Sequence, residues 1–430
     1  MRKFIFKYTV KFILIFVTVS LSYYNVFAKE PDSMNRSRIK PTIVSLEPGA
    51  EQQFFVVKES ARLAAAFATN KVSWYVNGIL GGNKTVGKIT KDGIYQAPEK
   101  APESPEIQIS ATVSSSSNKI LWATVLYNGK HPLYKTVSEW GELKDSLEHL
   151  SNPMAIVQEP DGNFLIADGK IKRFSNTGVF IEEMGESRGD YEGSLVDPLN
   201  LAIDNEGVIF VSDKRTGPPR IQAFTRDGKY LFGFAPKGTS AERVMDTRGM
   251  AFNSKQQLYI GDLDNMRVSV FEHSGDFVQI IGKKGAFPGE LNLPYGLAID
   301  ANDDLFIVNH FGPCQKFTSD GHFLLGFSYA DPPDGPVYFT DVATDRWGNV
   351  YLIVKGKQIS DEEYEAVKDE NGNRVDILKY NNYGDFIANI QLSKPDRDAR
   401  RIYVDEYDKI HVLFKGQDKI GVEILKQVTE

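Results

Sequence analysis

The sequence is poor in the residues that cross-link chains or bind transition metals. Among 430 residues there is one cysteine, Cys314, and there are six histidines. A lone cysteine forms neither an internal disulfide nor a cysteine-rich zinc or iron–sulfur site, so these classes are excluded. Glycine-rich phosphate loops, serine nucleophile elbows and HExxH helices are also missing.

Positive charge is in the minority. The chain has 50 Lys and Arg against 57 Asp and Glu, and the net charge is -7. No basic run interrupts the body of the chain, which argues against nucleic acid as a partner. With 41% hydrophobic and 25% charged residues the composition is that of a folded globular protein. Its length predicts two or three domains, or one large repeat architecture with an addition.

The only long uncharged apolar stretch lies at the N-terminus. Four basic residues within the first eleven positions precede Phe12 to Leu21, and Val26 and Ala28 occupy the positions that a signal peptidase reads. We therefore predict a signal peptide over residues 1–28 and a secreted, periplasmic or cell-envelope protein. The alternative is an N-terminal membrane anchor over residues 12–28, at the lower limit of a span. Residues 29–39 are polar and predict a tether.

From residue 150 a unit recurs along the chain. In each copy an apolar strand ends in an acidic or amide residue, a turn follows, a second strand ends in Asp or Asn, and a third carries an aromatic residue before Gly. The residues that end the first strands are spaced by 45, 49, 47, 45 and 60 positions, and they are Glu159, Asp204, Asn253, Asp300, Asp345 and Asp405. We expect Asp204, Asp300 and Asp345 to be turn residues.

A period of 40 to 50 residues with four short strands per unit predicts a β-propeller. The sixth unit supplies only three strands before the end of the chain. Tyr134 to Gly141, which precedes the first complete unit, reads as the missing outermost strand. The fold class predicted is all-β, with a six-bladed propeller over residues 132–430 whose first strand completes the last blade.

These units resemble the NHL repeat. The best match is Asp262-Leu-Asp-Asn-Met-Arg-Val-Ser-Val-Phe271, and the connection Gly282 to Pro294 is also similar to that of the family. The resemblance implies a six-bladed NHL-type propeller. It implies no particular reaction, because the fold hosts lyases, lactonases and binding proteins.

Residues 40–128 lack this repeat. Val72 to Gly78 is an alternating strand with a central Trp74, followed by a tight turn, and further short strands lie at Gly93–Pro98, Ile107–Val113 and Leu121–Leu126. About seven such strands predict a small β-sandwich. The segment resembles bacterial Ig-like modules in pairing Trp-x-Val-Asn-Gly with Gly-x-Tyr-x-Ala-Pro.

Propellers bind ligands on the face formed by the starts of the first strands and the loops after the second strands. The binding residues predicted for this face are Lys214, Arg215, Arg248, Asn265, Tyr295, His310, Phe311 and Arg400. Asp168, Asp213, Asp262 and Asn309 lie on the same face, and we expect them to bond to amides of their own loops.

Two functions fit these residues. The first is an exported binding or scaffold protein, within a cell-surface or envelope complex, that recognises a protein, peptide or glycan; it needs no catalytic residue, metal or cofactor. The second is a hydrolase or lyase, similar to lactonases, that uses Ca2+ in the channel or His310 as a base. The insertion at residues 355–375 is predicted to be a solvated excursion with a short helix near residues 361–367, or alternatively a lid.

Overall fold

The fold was analysed in a computed structural model of the chain. The structure describes residues 26–27, 36–60, 63–66, 72–114, 119–143, 150–185, 191–214, 220–310, 312–329, 337–357 and 365–428. The predicted signal peptide lies outside these residues except for 26–27. Among them there is no helix, so none is long and apolar enough to span a membrane.

Thirteen strands of the described chain precede residue 130. They are β1 (Val26–Phe27), β2 (Arg36–Lys40), β3 (Ile43–Leu46), β4 (Glu51–Gln53), β5 (Phe55–Ser60), β6 (Leu63–Ala66), β7 (Val72–Val76), β8 (Ile79–Leu80), β9 (Gly82–Asn83), β10 (Gly87–Ile89), β11 (Ile94–Gln96), β12 (Glu106–Val113) and β13 (Leu121–Tyr127).

The described strands that follow are β14 (Leu133–Leu143), β15 (Ala155–Gln158), β16 (Phe164–Asp168), β17 (Lys170–Phe174), β18 (Phe180–Met184), β19 (Pro198–Ile203), β20 (Ile209–Asp213), β21 (Ile221–Phe224), β22 (Tyr230–Phe234), β23 (Thr247–Phe252), β24 (Leu258–Asp262), β25 (Arg267–Phe271), β26 (Phe277–Ile281), β27 (Pro294–Ile299), β28 (Leu305–Asn309), β29 (Cys314–Phe317), β30 (Phe323–Phe327), β31 (Tyr338–Thr344), β32 (Val350–Lys355), β33 (Val367–Lys368), β34 (Arg374–Val375), β35 (Ile377–Tyr380), β36 (Phe386–Ile390), β37 (Asp398–Val404), β38 (Ile410–Lys415) and β39 (Lys419–Val428).

Strands β2 to β13 form three sheets rather than the seven-stranded pattern expected. Their orders are β3-β13-β12-β7-β8, β4-β11-β10-β9 and β2-β5-β6, and β3 runs parallel to β13. One hydrophobic cluster, which includes Trp74, Tyr95 and Val125, joins them. Trp74 is buried, as its place in the alternating strand predicts.

Between residues 133 and 428, 24 of the 26 described strands form six antiparallel sheets of four strands each, and β33 and β34 form a separate hairpin. We number them by their first strands: sheet 1 begins with β15, sheet 2 with β19, sheet 3 with β23, sheet 4 with β27, sheet 5 with β31 and sheet 6 with β37. Each first strand contacts the first strand of the next sheet, and β37 contacts β15. The sheets therefore form a ring, which is the arrangement of a β-propeller.

Apolar residues hold the ring together at the joints between sheets. Hydrophobic clusters lie between every consecutive pair of sheets, and one cluster joins sheet 6 to sheet 1 through Leu413, Val422, Phe164 and Ile166. At the centre the first strands approach closely. A Cβ at Gly249 would lie 2.8 Å from the backbone nitrogen of Leu297, so only glycine fits there.

The strand order confirms the predicted pairing at the chain ends. β14 pairs antiparallel with β39 and is the outermost strand of sheet 6, in the order β14-β39-β38-β37. Trp140 on β14 lies within the cluster between sheets 6 and 1. β1 pairs with β30 at the outer edge of sheet 4, so cleavage after Ala28 would leave that edge unpaired.

The insertion in sheet 5 differs from the expectation. Residues 358–364, which include most of the predicted helix, lie outside the described residues. Beyond them the chain forms the hairpin β33–β34, and Val367 and Val375 are buried against sheets 4 and 5. The predicted helix is wrong at Val367, which lies in β33, and the predicted solvated excursion is wrong there because burial of this apolar side chain is favourable.

Candidate functional site

The second strands of four sheets end in a side chain that fixes the connection into their own sheet. Asp168 accepts hydrogen bonds from the amides of Ser151 and Asn152 at 2.7 Å, and Asp213 accepts from those of Val196 and Asp197. Asp262 and Asn309 accept in the same way, from Met245 and Asn292, at 3.1 and 3.0 Å.

These backbone donors lie outside the acceptors' own loops, contrary to the expectation, although Asp262 also accepts from the side chain of Asn265 in its own loop. The backbone donors lie 16 or 17 residues earlier, in the segment that enters the first strand of the same sheet. The buried carboxylates are satisfied by backbone donors, so the loops at this end of the ring are held in place. We call this end the mouth.

β-bulges change the direction of the first strands at the mouth. Register shifts occur between Arg248 and Met250, between Pro294 and Gly296, between Phe339 and Asp341, and between Ala399 and Arg401, with one more in sheet 2. A bulge adds one unpaired residue and redirects side chains. The extra residues include Tyr295, Thr340 and Arg400.

A pocket opens at the mouth where these bulges meet. Its lining comes from sheets 1, 3, 4, 5 and 6, and consists of Asn152, Pro153, Met154, Arg248, Tyr295, Thr340, Lys355, Asp398, Ala399, Arg400, Arg401 and Lys415. Its volume is about 110 Å³. Three of the predicted residues, Arg248, Tyr295 and Arg400, are thus brought together.

One wall of the pocket rests on a stacked series of side chains. The rings of Tyr338 and His310 stack at 5.3 Å, and His310 stacks on Tyr295 at the same distance. The guanidinium carbon of Arg248 lies 5.4 Å from the centre of the Tyr295 ring. Because stacked and cation–π contacts restrict the rotamers of these side chains, the series orients Arg248 toward the pocket.

The opposite wall is basic. Arg400 Nε lies 2.7 Å from Asp398 Oδ2, and the Lys355 ammonium contacts Oδ1 of the same carboxylate. Arg401 donates from Nη1 to the carbonyl of Arg400 at 3.1 Å. The lining as a whole has five cationic side chains and one carboxylate, in a protein that is acidic overall.

Several polar atoms of the lining are buried without a hydrogen-bond partner in the part of the chain that the structure describes. They are Thr340 Oγ1, Arg248 Nε and Arg401 Nε. Thr340 as a whole is 8% exposed. Buried polar atoms are normally paired, so these unpaired atoms mark the lining as a region whose hydrogen bonding is incomplete.

Burial changes the ionisation of the groups at the mouth. It lowers the pKa of Lys355, although Asp398 opposes the shift, and it lowers the pKa of His310. Burial also raises the pKa of Asp341, a shift that Arg401 opposes. Because His310 lies between two tyrosine rings and does not line the pocket, it supports Tyr295 from behind.

The remaining predicted residues lie elsewhere or outside the description. Asn265 donates to the carbonyl of Gly238 and to Asp262 Oδ2, so it fixes the connection between sheets 2 and 3. Lys214 is exposed, and its amide donates to Asp197. Arg215 and Phe311 lie outside the described residues.

Sequence reasoning missed Lys355, Thr340, Arg401 and Lys415. The repeat places Arg400 at the start of a first strand, but the bulge at Arg400, next to Arg401, leaves no mark in the pattern. Lys355 and Lys415 end the second strands of sheets 5 and 6. Their position corresponds to that of Asp213, which is the signal that could have found them.

Among the described residues, no group of three or more His, Cys, Asp or Glu side chains is placed to hold a metal ion. The Asp and Asn residues of the mouth instead accept hydrogen bonds from backbone amides. The Ca2+ site of the enzymatic alternative stays a prediction.

No protein-family model and no curated protein matches the chain. Among solved structures it is similar to a streptogramin B lyase, with 14% identity over 83% of this chain and 98% of the other and a TM-score of 0.42. It is also similar to the RRP9 WD40 repeats, with 13% identity over 69% and 99% and a TM-score of 0.45. A protein of unknown function from Bacteroides thetaiotaomicron covers 92% of this chain and 99% of its own at 12% identity, with a TM-score of 0.43.

Proposed function

We propose that the chain is an exported binding protein whose mouth pocket receives part of a protein, peptide or glycan. In this proposal the ring is a six-bladed NHL-type propeller, and residues 40–128 form an Ig-like module that spaces it from a surface. The observation that carries the proposal is the pocket itself, to which five of the six sheets contribute side chains.

The size of the pocket limits what enters it. An engineered protein cavity of roughly 150 Å³ holds one benzene molecule. A pocket of about 110 Å³ therefore accepts one chemical group of a ligand. The rest of a larger ligand would lie across the rim, where Asn152 is exposed.

Binding explains the side chains of the mouth better than turnover does. His310, the base in the enzymatic alternative, is 9% exposed and stacks between Tyr295 and Tyr338. Asp168, Asp213 and Asp262 accept bonds from backbone amides. These groups build the mouth, and their roles require no chemical step.

Arrays of defined peptides and glycans test the proposal. Wild-type protein is compared with Arg248→Ala and Arg400→Ala at the mouth, and with Lys255→Ala as a charge-matched control on an exposed turn at the other end of sheet 3. We expect the wild type and the control to bind the same probes, and both mouth variants to lose them. Equal binding by all four proteins would place the interaction on another surface.

A further inference from the structure

We propose that the mouth pocket receives the carboxylate of a uronic acid residue of an acidic glycan, with the sugar ring of that residue at the rim. This inference rests on the proposed function, because it names the ligand of the same pocket. It starts from the charge of the lining, in which five cationic side chains surround a single carboxylate, Asp398.

The cations are arranged to receive a planar anion. Guanidinium groups bind carboxylates through paired N–H donors, and the pocket has three of them, on Arg248, Arg400 and Arg401. The Nε atoms of Arg248 and Arg401 are buried and have no partner among the described residues. A carboxylate between the two walls would accept from both sides of the pocket.

The other polar groups favour a sugar over an acidic peptide. Thr340 Oγ1 has no partner in the described chain, and the side-chain nitrogen of Asn152 has only the sulfur of Met154, at 3.8 Å. Asp398 adds an acceptor beside Arg400. Hydroxyl groups around a ring satisfy donors and acceptors on several sides, whereas an acidic side chain presents a carboxylate on an apolar stem.

Asp398 is the one carboxylate of the lining, and it offers an acceptor for sugar hydroxyl groups. A single uronate places its one carboxylate at the arginines and its hydroxyls at Asp398. The pocket volume of about 110 Å³ accepts the carboxylate group, and the sugar ring would lie at the rim.

The test uses the full chain and three probes in titration calorimetry: galacturonate trimer, its fully methyl-esterified form, and a peptide of three glutamates. We expect the acid trimer to bind, and esterification to weaken binding by at least about tenfold because charge-assisted hydrogen bonds are lost. Arg400→Ala and Thr340→Val are expected to weaken binding of the trimer, whereas Lys255→Ala leaves it unchanged. Melting temperatures identify any variant that fails to fold.

Equal binding of the ester, tighter binding of the peptide, or no binding of the trimer would overturn the uronate assignment. If the peptide binds and Arg400→Ala abolishes that binding, the mouth is still the ligand site and only the ligand class is wrong. If array ligands bind equally to wild type and mouth variants, the proposed function itself fails.

Discussion

The ammonium of Lys379 in sheet 5 lies 2.6 Å from a carboxylate oxygen of Glu106 on β12, and both side chains are 3% exposed. The same ammonium donates to the hydroxyl of Tyr134 on the closing strand at 3.0 Å. The carboxylate of Glu106 also accepts from Asn349 at 3.3 Å. One buried charge pair thus joins the N-terminal sheets, the closing strand and sheet 5.

Removing Glu106 should destabilise the whole assembly. In Glu106→Leu the Lys379 ammonium stays buried without its charge partner, which costs about 3–5 kcal/mol of unfolding free energy. The double variant Glu106→Leu/Lys379→Met should recover most of that loss. Chemical denaturation gives the unfolding free energies of the wild type, the single variant and the double variant.

The control is an exposed ion pair that also joins the N-terminal sheets to the ring. Lys119 lies 3.2 Å from Asp304, but its side chain is 46% exposed. Lys119→Ala should therefore cost no more than about 1 kcal/mol. A loss for Lys119→Ala as large as that for Glu106→Leu would contradict the role given to the buried pair.

Asp345 should make stability depend on pH. Burial raises the pKa of Asp345 from 3.8 to about 6, although Lys379 opposes the shift. The folded state thus favours the protonated acid, so its contribution is present below pH 3.8 and is lost as pH rises through about 6. The loss amounts to about 3 kcal/mol.

Denaturation of wild type and Asp345→Asn between pH 3.5 and 8 isolates this group. Asparagine already occupies the equivalent turn as Asn253, where it accepts from the amides of Lys255 and Gln257. The stability of the wild type relative to the variant should fall as pH rises. A pH-independent difference would refute the shift.

Trp140 should be the main anchor of the closing strand. It is 7% exposed and stacks on Phe174 with ring centres 5.3 Å apart. Trp140→Ala should cost about 3–5 kcal/mol, because it leaves a cavity between sheets 6 and 1. Val137 on the same strand is 51% exposed, so Val137→Ala should change stability by less than about 0.5 kcal/mol. Similar melting temperatures for the two variants would argue against closure through β14.

The acceptors at the ends of the second strands should be needed as acceptors rather than as charges. Asp213→Ala leaves the amides of Val196 and Asp197 without their partner and should cost about 1–3 kcal/mol. Asp213→Asn should cost less, since Asn309 fills this position in sheet 4. Equal losses in thermal or chemical unfolding would show that one acceptor oxygen is not enough, because Asp213 accepts with both of its oxygens.

Features that recur in every repeat could be predicted from the sequence, such as the turn residues and the residues at the mouth. The acidic residue at the end of each first strand marks a turn, and in the structure Asp300 accepts from the amides of Asn302 and Asp304. Arg248, Tyr295 and Arg400 were placed at the mouth because they start first strands. Local pattern is enough for such residues, since strand order fixes which end of the ring they reach.

Features that depend on distant partners could not be predicted in this way. Glu106 and Lys379 are 273 positions apart, and nothing in the period of either strand indicates that they meet. The bulge between Ala399 and Arg401 interrupts the strand register, and the alternation of the sequence does not indicate it. Asn265 matches the repeat, but its side-chain amide donates to the carbonyl of Gly238. Its position alone therefore did not show that it fixes a connection between sheets.

A crystal structure of the full chain with the tightest ligand from the arrays tests the central claim most directly. The account predicts ligand atoms between Arg248 and Arg400, within hydrogen-bond distance of Thr340 Oγ1. A ligand bound instead to the N-terminal sheets or to the outer strands, with the mouth pocket empty, would contradict it.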